Sequence, residues 1–272
     1  MDIDYFKKLW KKTDEDRDAV EKFWNSRADE FNKKISKRQE KDKDPIKFLI
    51  ENNMLKRDYK VLDIGSGPGR YSIRFAKECK KVVAIDISEK MLEKAIDNAK
   101  KEKLDNIQFK KVFWEDLNLE ENDWNKKFDL VFASMCPGIN SYETLLKMVD
   151  ASRNYCFLSG FAHRNDYLWN KLYKKLRGKD YPRFYDNKIY CIFNILWNIG
   201  YYPEIRYIDK NWEETYSIDY ICNFYISRFE LEGELSIEEK EQICKLLKEY
   251  SKDGYVKENV SSKVAWIYWS VK

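Results

Sequence analysis

Three glycines at alternate positions, Gly65, Gly67 and Gly69, follow the apolar run Val61-Leu62-Asp63-Ile64 and precede a helical pattern that begins near Arg70. A strand that turns this tightly into a helix needs residues without a Cβ, which accept positive φ and let a ligand approach the backbone. The N-terminus of the helix that follows offers unpaired N–H groups to an anionic group. The spacing is not that of a dinucleotide fingerprint, whose third glycine would fall at Arg70 rather than at Gly69. Nor is it a Walker loop, which ends in Gly-Lys-Ser or Gly-Lys-Thr. A second apolar run, Val82-Val83-Ala84-Ile85, ends in Asp86, 23 residues beyond Asp63. One carboxylate there can accept two hydrogen bonds from a diol, and ionised acceptors bond more strongly than neutral ones.

Two further residues carry potential chemistry. His163, the one histidine, follows a fifth apolar run. An imidazole titrating near neutrality can take a proton; it can equally hydrogen-bond a substrate or cap the next helix. Cys136 follows a fourth apolar run, with neither a histidine nor an acid beside it in sequence to make a thiolate. It reads as a small, soft residue lining a pocket. A single histidine excludes a His-rich metal site, and no metal is expected.

The elements that must position these residues alternate. Apolar runs at 60–64, 81–85, 107–113, 128–133 and 155–161 read as strands, with helical patterns between them. Such alternation gives an α/β fold, a doubly wound and mostly parallel sheet with helices on both faces. Ligands then bind at the carboxyl ends of the strands. The chain has 272 residues, 43% hydrophobic and 36% charged, with a net charge of +4. It is long enough for one α/β domain with additions and a substantial core. No apolar run approaches a membrane span and the acidic start has no leader-like apolar core. The six cysteines form no Cys-x-x-Cys pair and read as reduced thiols, so a cytoplasmic location is expected.

The pattern Asp63-x-Gly65-x-Gly67-x-Gly69 resembles the first motif of class I S-adenosylmethionine (SAM)-dependent methyltransferases. Asp86, with Ser88-x-x-Met91-Leu92 after it, resembles that family's second motif. The resemblance covers about residues 24 to 164. It implies SAM as cofactor, held by Asp63, Gly65, Ser66, Gly67 and Gly69 of the turn and by Asp86 and Ile87, with Asp86 taking both ribose hydroxyls. It also implies about seven strands, the last one antiparallel. The family places an acid directly after the third strand, against the adenine. Phe113 stands there instead, and the acids Glu115 and Asp116 are displaced. Glu115 is the expected substitute, and Trp114 either stacks on the base or belongs to the core. Ser134, after the fourth strand, falls where the family places residues beside the sulfonium.

Residues 1–44 are charged with apolar residues at helical spacing, and resemble the family's N-terminal helical cap. In that cap an aromatic or arginine reaches the cofactor; Trp24 and Arg27 are the candidates, or are respectively core and solvated. Lys37 to Asp44 is a charge run that reads as a solvated hinge. The rest, 45–272, is the Rossmann-like domain, with additions at about 164–190 and 213–260 beside the active site. The first addition holds eight Lys or Arg against three Asp, with aromatics interleaved. That is the composition of a nucleic-acid groove, or of a Lys-rich helix whose stripe Trp169, Tyr173 and Leu176 packs inward. The reading favoured is the second, and so is methyl transfer from SAM to a small-molecule acceptor, with His163 as candidate base. The alternatives are a nucleic-acid methyltransferase using 164–190, and a SAM-binding protein without turnover.

Overall fold

The computed structural model describes residues 2–10, 16–35, 44–181 and 185–272. Most of the charge run expected as a hinge, 37–43, lies outside them. Three helices open the chain: α1 (Ile3–Leu9), α2 (Arg17–Ser26) and α3 (Ala28–Ile35). Asp16 caps α2 by accepting Asp18 N–H, and Asp44 does the same at Ile46 for α4 (Pro45–Glu51), where proline occupies the first turn. Then come β1 (Lys60–Ile64), α5 (Ser72–Glu78), β2 (Lys81–Asp86), α6 (Glu89–Lys101), β3 (Ile107–Lys111), β4 (Phe128–Ser134), α7 (Tyr142–Ala151) and β5 (Ser152–Asp166). The second half supplies α8 (Tyr167–Arg177), α9 (Tyr185–Asn198), β6 (Glu204–Asp209), β7 (Trp212–Ser217), α10 (Ile218–Phe229), α11 (Ile237–Glu249), β8 (Ser251–Lys252) and β9 (Tyr255–Ser270).

The strands form one sheet in the order β3-β2-β1-β4-β5-β9-β6, with β7 and β8 also paired to β9. The first five are parallel and β9 runs antiparallel to β5, as expected for the last strand. The inner strands read as continuous apolar runs because both faces are covered. Leu62, Ile64, Val83, Val131 and Leu158 face α1, α7 and α9; Val61, Val82, Leu130, Phe132 and Phe157 face α4 and α5. The order reverses between β1 and β4, which places the crevice at the carboxyl ends of β1, β2 and β4.

Two boundaries differ from the sequence expectation. The third strand stops at Lys111, two residues short of Phe113. The fifth does not end at Phe161 but continues to Asp166, because β9 pairs with it along that whole length and satisfies its backbone. The prolonged β5 and β9, joined by β7, carry α8, α10 and α11 over a separate apolar cluster built on Trp169, Tyr225 and Phe229. A capping box of Ser236 and Glu239 opens α11.

Candidate active site

The turn after β1 is fixed by what surrounds it. Gly65 and Ser66 both donate their N–H to the Ile85 carbonyl, at 2.9 and 3.0 Å, so the loop is sewn to the end of β2. Gly65 has φ +70°, and a Cβ there would lie 2.7 Å from Cys136 Sγ. Only glycine satisfies both constraints. Gly67, at φ +54°, has nothing within 4 Å of where a Cβ would stand, so the turn is open on the side a ligand would approach. Gly69 closes the turn against Ala95 of α6.

Asp86 lies beside this turn, half-buried at the end of β2. Its carboxylate accepts Gly67 N–H at 2.7 Å through one oxygen and Ser88 N–H at 2.9 Å through the other. Burial pushes its pKa up, against those backbone donors. Each oxygen keeps acceptor capacity, which suits a diol. Ile87 follows it, half-buried. Ser66 Oγ is buried with no protein partner. Asp63 sits beneath the turn, 1% exposed, and accepts the Ser72 hydroxyl at 2.5 Å. Burial raises its pKa to about 7; the Ser72 hydroxyl opposes the shift and the neighbouring Asp86 adds to it. An open glycine turn, a carboxylate beside it and an unpartnered hydroxyl fit an adenosyl cofactor with its ribose on Asp86. Asp63 supports the loop from below rather than facing a ligand.

Past β3 the structure separates two candidates that are adjacent in sequence. Trp114 is 2% exposed, packs in the core and donates its indole N–H to the Thr144 carbonyl at 3.0 Å. Of its two expected places, on the adenine or in the core, the structure gives it the core one. Glu115 is half-buried and accepts the Asn140 side-chain amide at 2.9 Å, with Lys147 donating to its backbone carbonyl. Asn140, which the sequence reading missed, thus ties the loop after β4 to the loop after β3. No local pattern marks it, because its partner lies 25 residues away.

Beyond β4, Ser134 Oγ meets Ser159 Oγ of β5 at 2.9 Å. Met135 follows in the left-handed region, φ +56°, with its side chain exposed. A non-glycine residue held there stores strain of about 1–3 kcal/mol, a cost that concentrates at functional sites. Cys136 is buried and its thiol is pushed up to about 12 by burial, opposed by Lys188. That removes it as a nucleophile at neutral pH and leaves the pocket-lining role.

His163 is not brought to this end of the site. The register shifts between Phe161 and His163, and His163 pairs with Lys263. Phe161 and Val264 belong to the face of α4 and α5, which Phe132 and hence Ser134 also share. Lys263, one step from Val264, and His163 with it, point to the opposite face. The imidazole is exposed and about 13 Å along the strand from Ser159, at ~3.3 Å per residue. The expectation of a base at the strand end is corrected for a physical reason, since the strand has not ended there.

In the cap, Arg27 pairs with Glu30 at 2.8 Å and lies over Phe224 at 4.3 Å, while Trp24 packs edge-on to Phe23 and Phe31. Among the described residues no group of three His, Cys, Asp or Glu could hold a metal, and no helix is long and apolar enough to cross a membrane.

The strand order, the glycine turn and the acid closing β2 make an α/β domain whose crevice fits an adenosyl cofactor. Residues 55–162 match the profile of the family described as methyltransferase domain. The chain resembles a candidate methyltransferase from Bacillus halodurans C-125 with a TM-score of 0.52 and 15% identity, over 82% of this chain and 96% of that one. It resembles the YcgJ protein from Bacillus subtilis with a TM-score of 0.50 and 14% identity, over the same shares. Those likenesses concern the fold. Among curated proteins, 104 residues are 38% identical to a release factor glutamine methyltransferase from Fusobacterium nucleatum, 35% of this chain and 26% of that protein. A stretch of 52 residues, 19% of this chain, is 38% identical to the 23S rRNA (uracil(1939)-C(5))-methyltransferase RlmD from Alcanivorax borkumensis and covers 12% of it. The chain thus spans about a quarter or less of the length of these curated relatives.

Proposed function

We propose that the protein transfers a methyl group from SAM to a small-molecule acceptor. Bound SAM supplies an activated sulfonium methyl, so the protein's own work is to align the acceptor and keep water out. Alignment of this kind contributes roughly 7–11 kcal/mol in well-oriented reactions. In this reading Asp86 and the turn 65–69 hold the adenosyl and methionine parts. Ser134, Ser159 and Met135 then stand where the acceptor approaches, and the cap helices cover the site.

The choice of a small acceptor rests on α8. Its aromatic residues Trp169 and Tyr173 are buried against Tyr225 and Phe229 rather than presented as a stacking platform. Its cations are engaged locally, Lys175 with Glu249 at 3.1 Å and Arg177 with Glu239 at 2.7 Å. A nucleic-acid groove needs free cations and exposed rings. Incubation with methyl-labelled SAM and a cell extract, fractionated into small molecules and polymers, tests this. Label is expected in the small-molecule fraction; label in RNA or protein overturns the choice of acceptor, and none in either overturns the activity.

A further inference from the structure

A cluster of partly buried charges lies where the cap meets the second half of the chain. Its centre is Glu30 of α3, whose side chain is 12% exposed. That carboxylate accepts Arg27 Nη2 at 2.8 Å, Lys34 Nζ at 2.5 Å and Tyr216 OH at 3.3 Å, and takes a further bond from Tyr220 OH. Lys34 also reaches Glu214 at 2.5 Å, and Tyr216 stacks on Tyr220 with centroids 5.1 Å apart. One carboxylate therefore bonds α3 to both β7 and α10. Burial alone would raise its pKa, but Arg27 and Lys34 outweigh burial and hold it ionised below the usual glutamate range.

The other side of the same helix faces the cofactor turn. Asn32 lies two residues from Glu30, about 200° around the helix. Its side-chain carbonyl accepts the Asn98 amide at 2.7 Å, and the same amide donates to the Pro68 carbonyl within the glycine turn at 3.0 Å. Asp29 pairs with Lys94 of α6 at 2.8 Å. In α2, Asn25 accepts the Ser88 hydroxyl at 2.7 Å, two residues from Asp86. The cap is thus clamped between the cofactor turn and the wall formed by β7 and α10.

We propose that Glu30 is a positioning residue for methyl transfer: through it, cofactor seated on the glycine turn and Asp86 fixes β7 and α10 against the acceptor side. This rests on the preceding reading that SAM occupies that turn. A merely structural Glu30 would stabilise β7 and α10 equally with and without cofactor. A coupling Glu30 makes their order depend on cofactor, because α3 of the cap meets those two elements through Glu30 and its partner Lys34.

The test is hydrogen exchange of the whole chain with and without saturating S-adenosylhomocysteine, in the native protein, Glu30→Gln and Tyr220→Phe. In the native protein the ligand is expected to slow exchange at 64–70 and 86–91 and also at 212–229. In Glu30→Gln the first two segments keep their protection, while the ligand-dependent protection at 212–229 falls by about tenfold, the size of one hydrogen bond to a charged group. Tyr220→Phe removes a single hydroxyl, should fall between the two, and carries the test if Glu30→Gln fails to fold. Ligand-dependent protection at 212–229 that is absent in the native protein, or equal in native and variants, overturns the proposal. If the ligand does not protect 64–70 in the native protein, the SAM reading itself fails, and that outcome is separately visible.

Discussion

Replacing Asp63 by asparagine should make the protein more stable at alkaline pH than the native chain, and leave it nearly unchanged at acid pH. Asp63 is buried beneath the glycine turn and its carboxyl pKa is raised from 3.8 to about 7. A group whose folded pKa is raised holds its proton in the native state after the unfolded chain has lost it. Its stabilising contribution is therefore complete below the unfolded value and is lost as pH rises through the folded value. The shift is about three units, and each unit is ~1.36 kcal/mol, so ionised Asp63 costs the fold about 4 kcal/mol once pH exceeds both values. Asparagine keeps the shape and an oxygen for the Ser72 hydroxyl but never ionises. The assay is urea unfolding of both proteins, without cofactor, across a pH series. The midpoint difference should grow by about 1–4 M between about pH 4 and pH 8, given m-values of ~1–3 kcal/mol/M. A difference that stays flat with pH would refute the claim that burial of an acid strains this turn.

Other substitutions separate site from scaffold. Trp114→Phe leaves the Thr144 carbonyl without its buried donor and should cost about 1–3 kcal/mol in unfolding experiments, with S-adenosylhomocysteine affinity by calorimetry unchanged. A large loss of affinity would return the indole to the adenine site. His163→Ala should leave the maximal methylation rate within a few-fold of native, because the imidazole stands on the other sheet face; a fall of about 10²–10⁴ would mark it as a base after all.

The first half of the site was legible because its signals are local. Glycines at 65, 67 and 69 and an acid 23 residues after Asp63 are forced by one tight turn and one strand end. What was not legible depends on partners far along the chain. The polar stretch from His163 to Asp166 becomes strand only because residues 260–263 of β9 pair with it. Trp114 offered two roles from sequence, and the choice was made by a carbonyl 30 residues away. Nothing local singles out Glu30, whose phenol partners lie 186 and 190 residues downstream. The aromatic stripe of α8 read correctly as inward-facing, since helical periodicity is itself a local signal.

In the proposed function, the turn at 65–69 and Asp86 hold SAM. Calorimetric titration of the purified protein with S-adenosylhomocysteine, with NAD in parallel and Asp86→Ala as control, tests it most directly. Binding of the adenosyl ligand and not NAD is predicted, weakened in Asp86→Ala by about 1.5–3 kcal/mol for each ribose hydroxyl bond lost. Binding of NAD instead, or undiminished affinity in Asp86→Ala, would contradict the account.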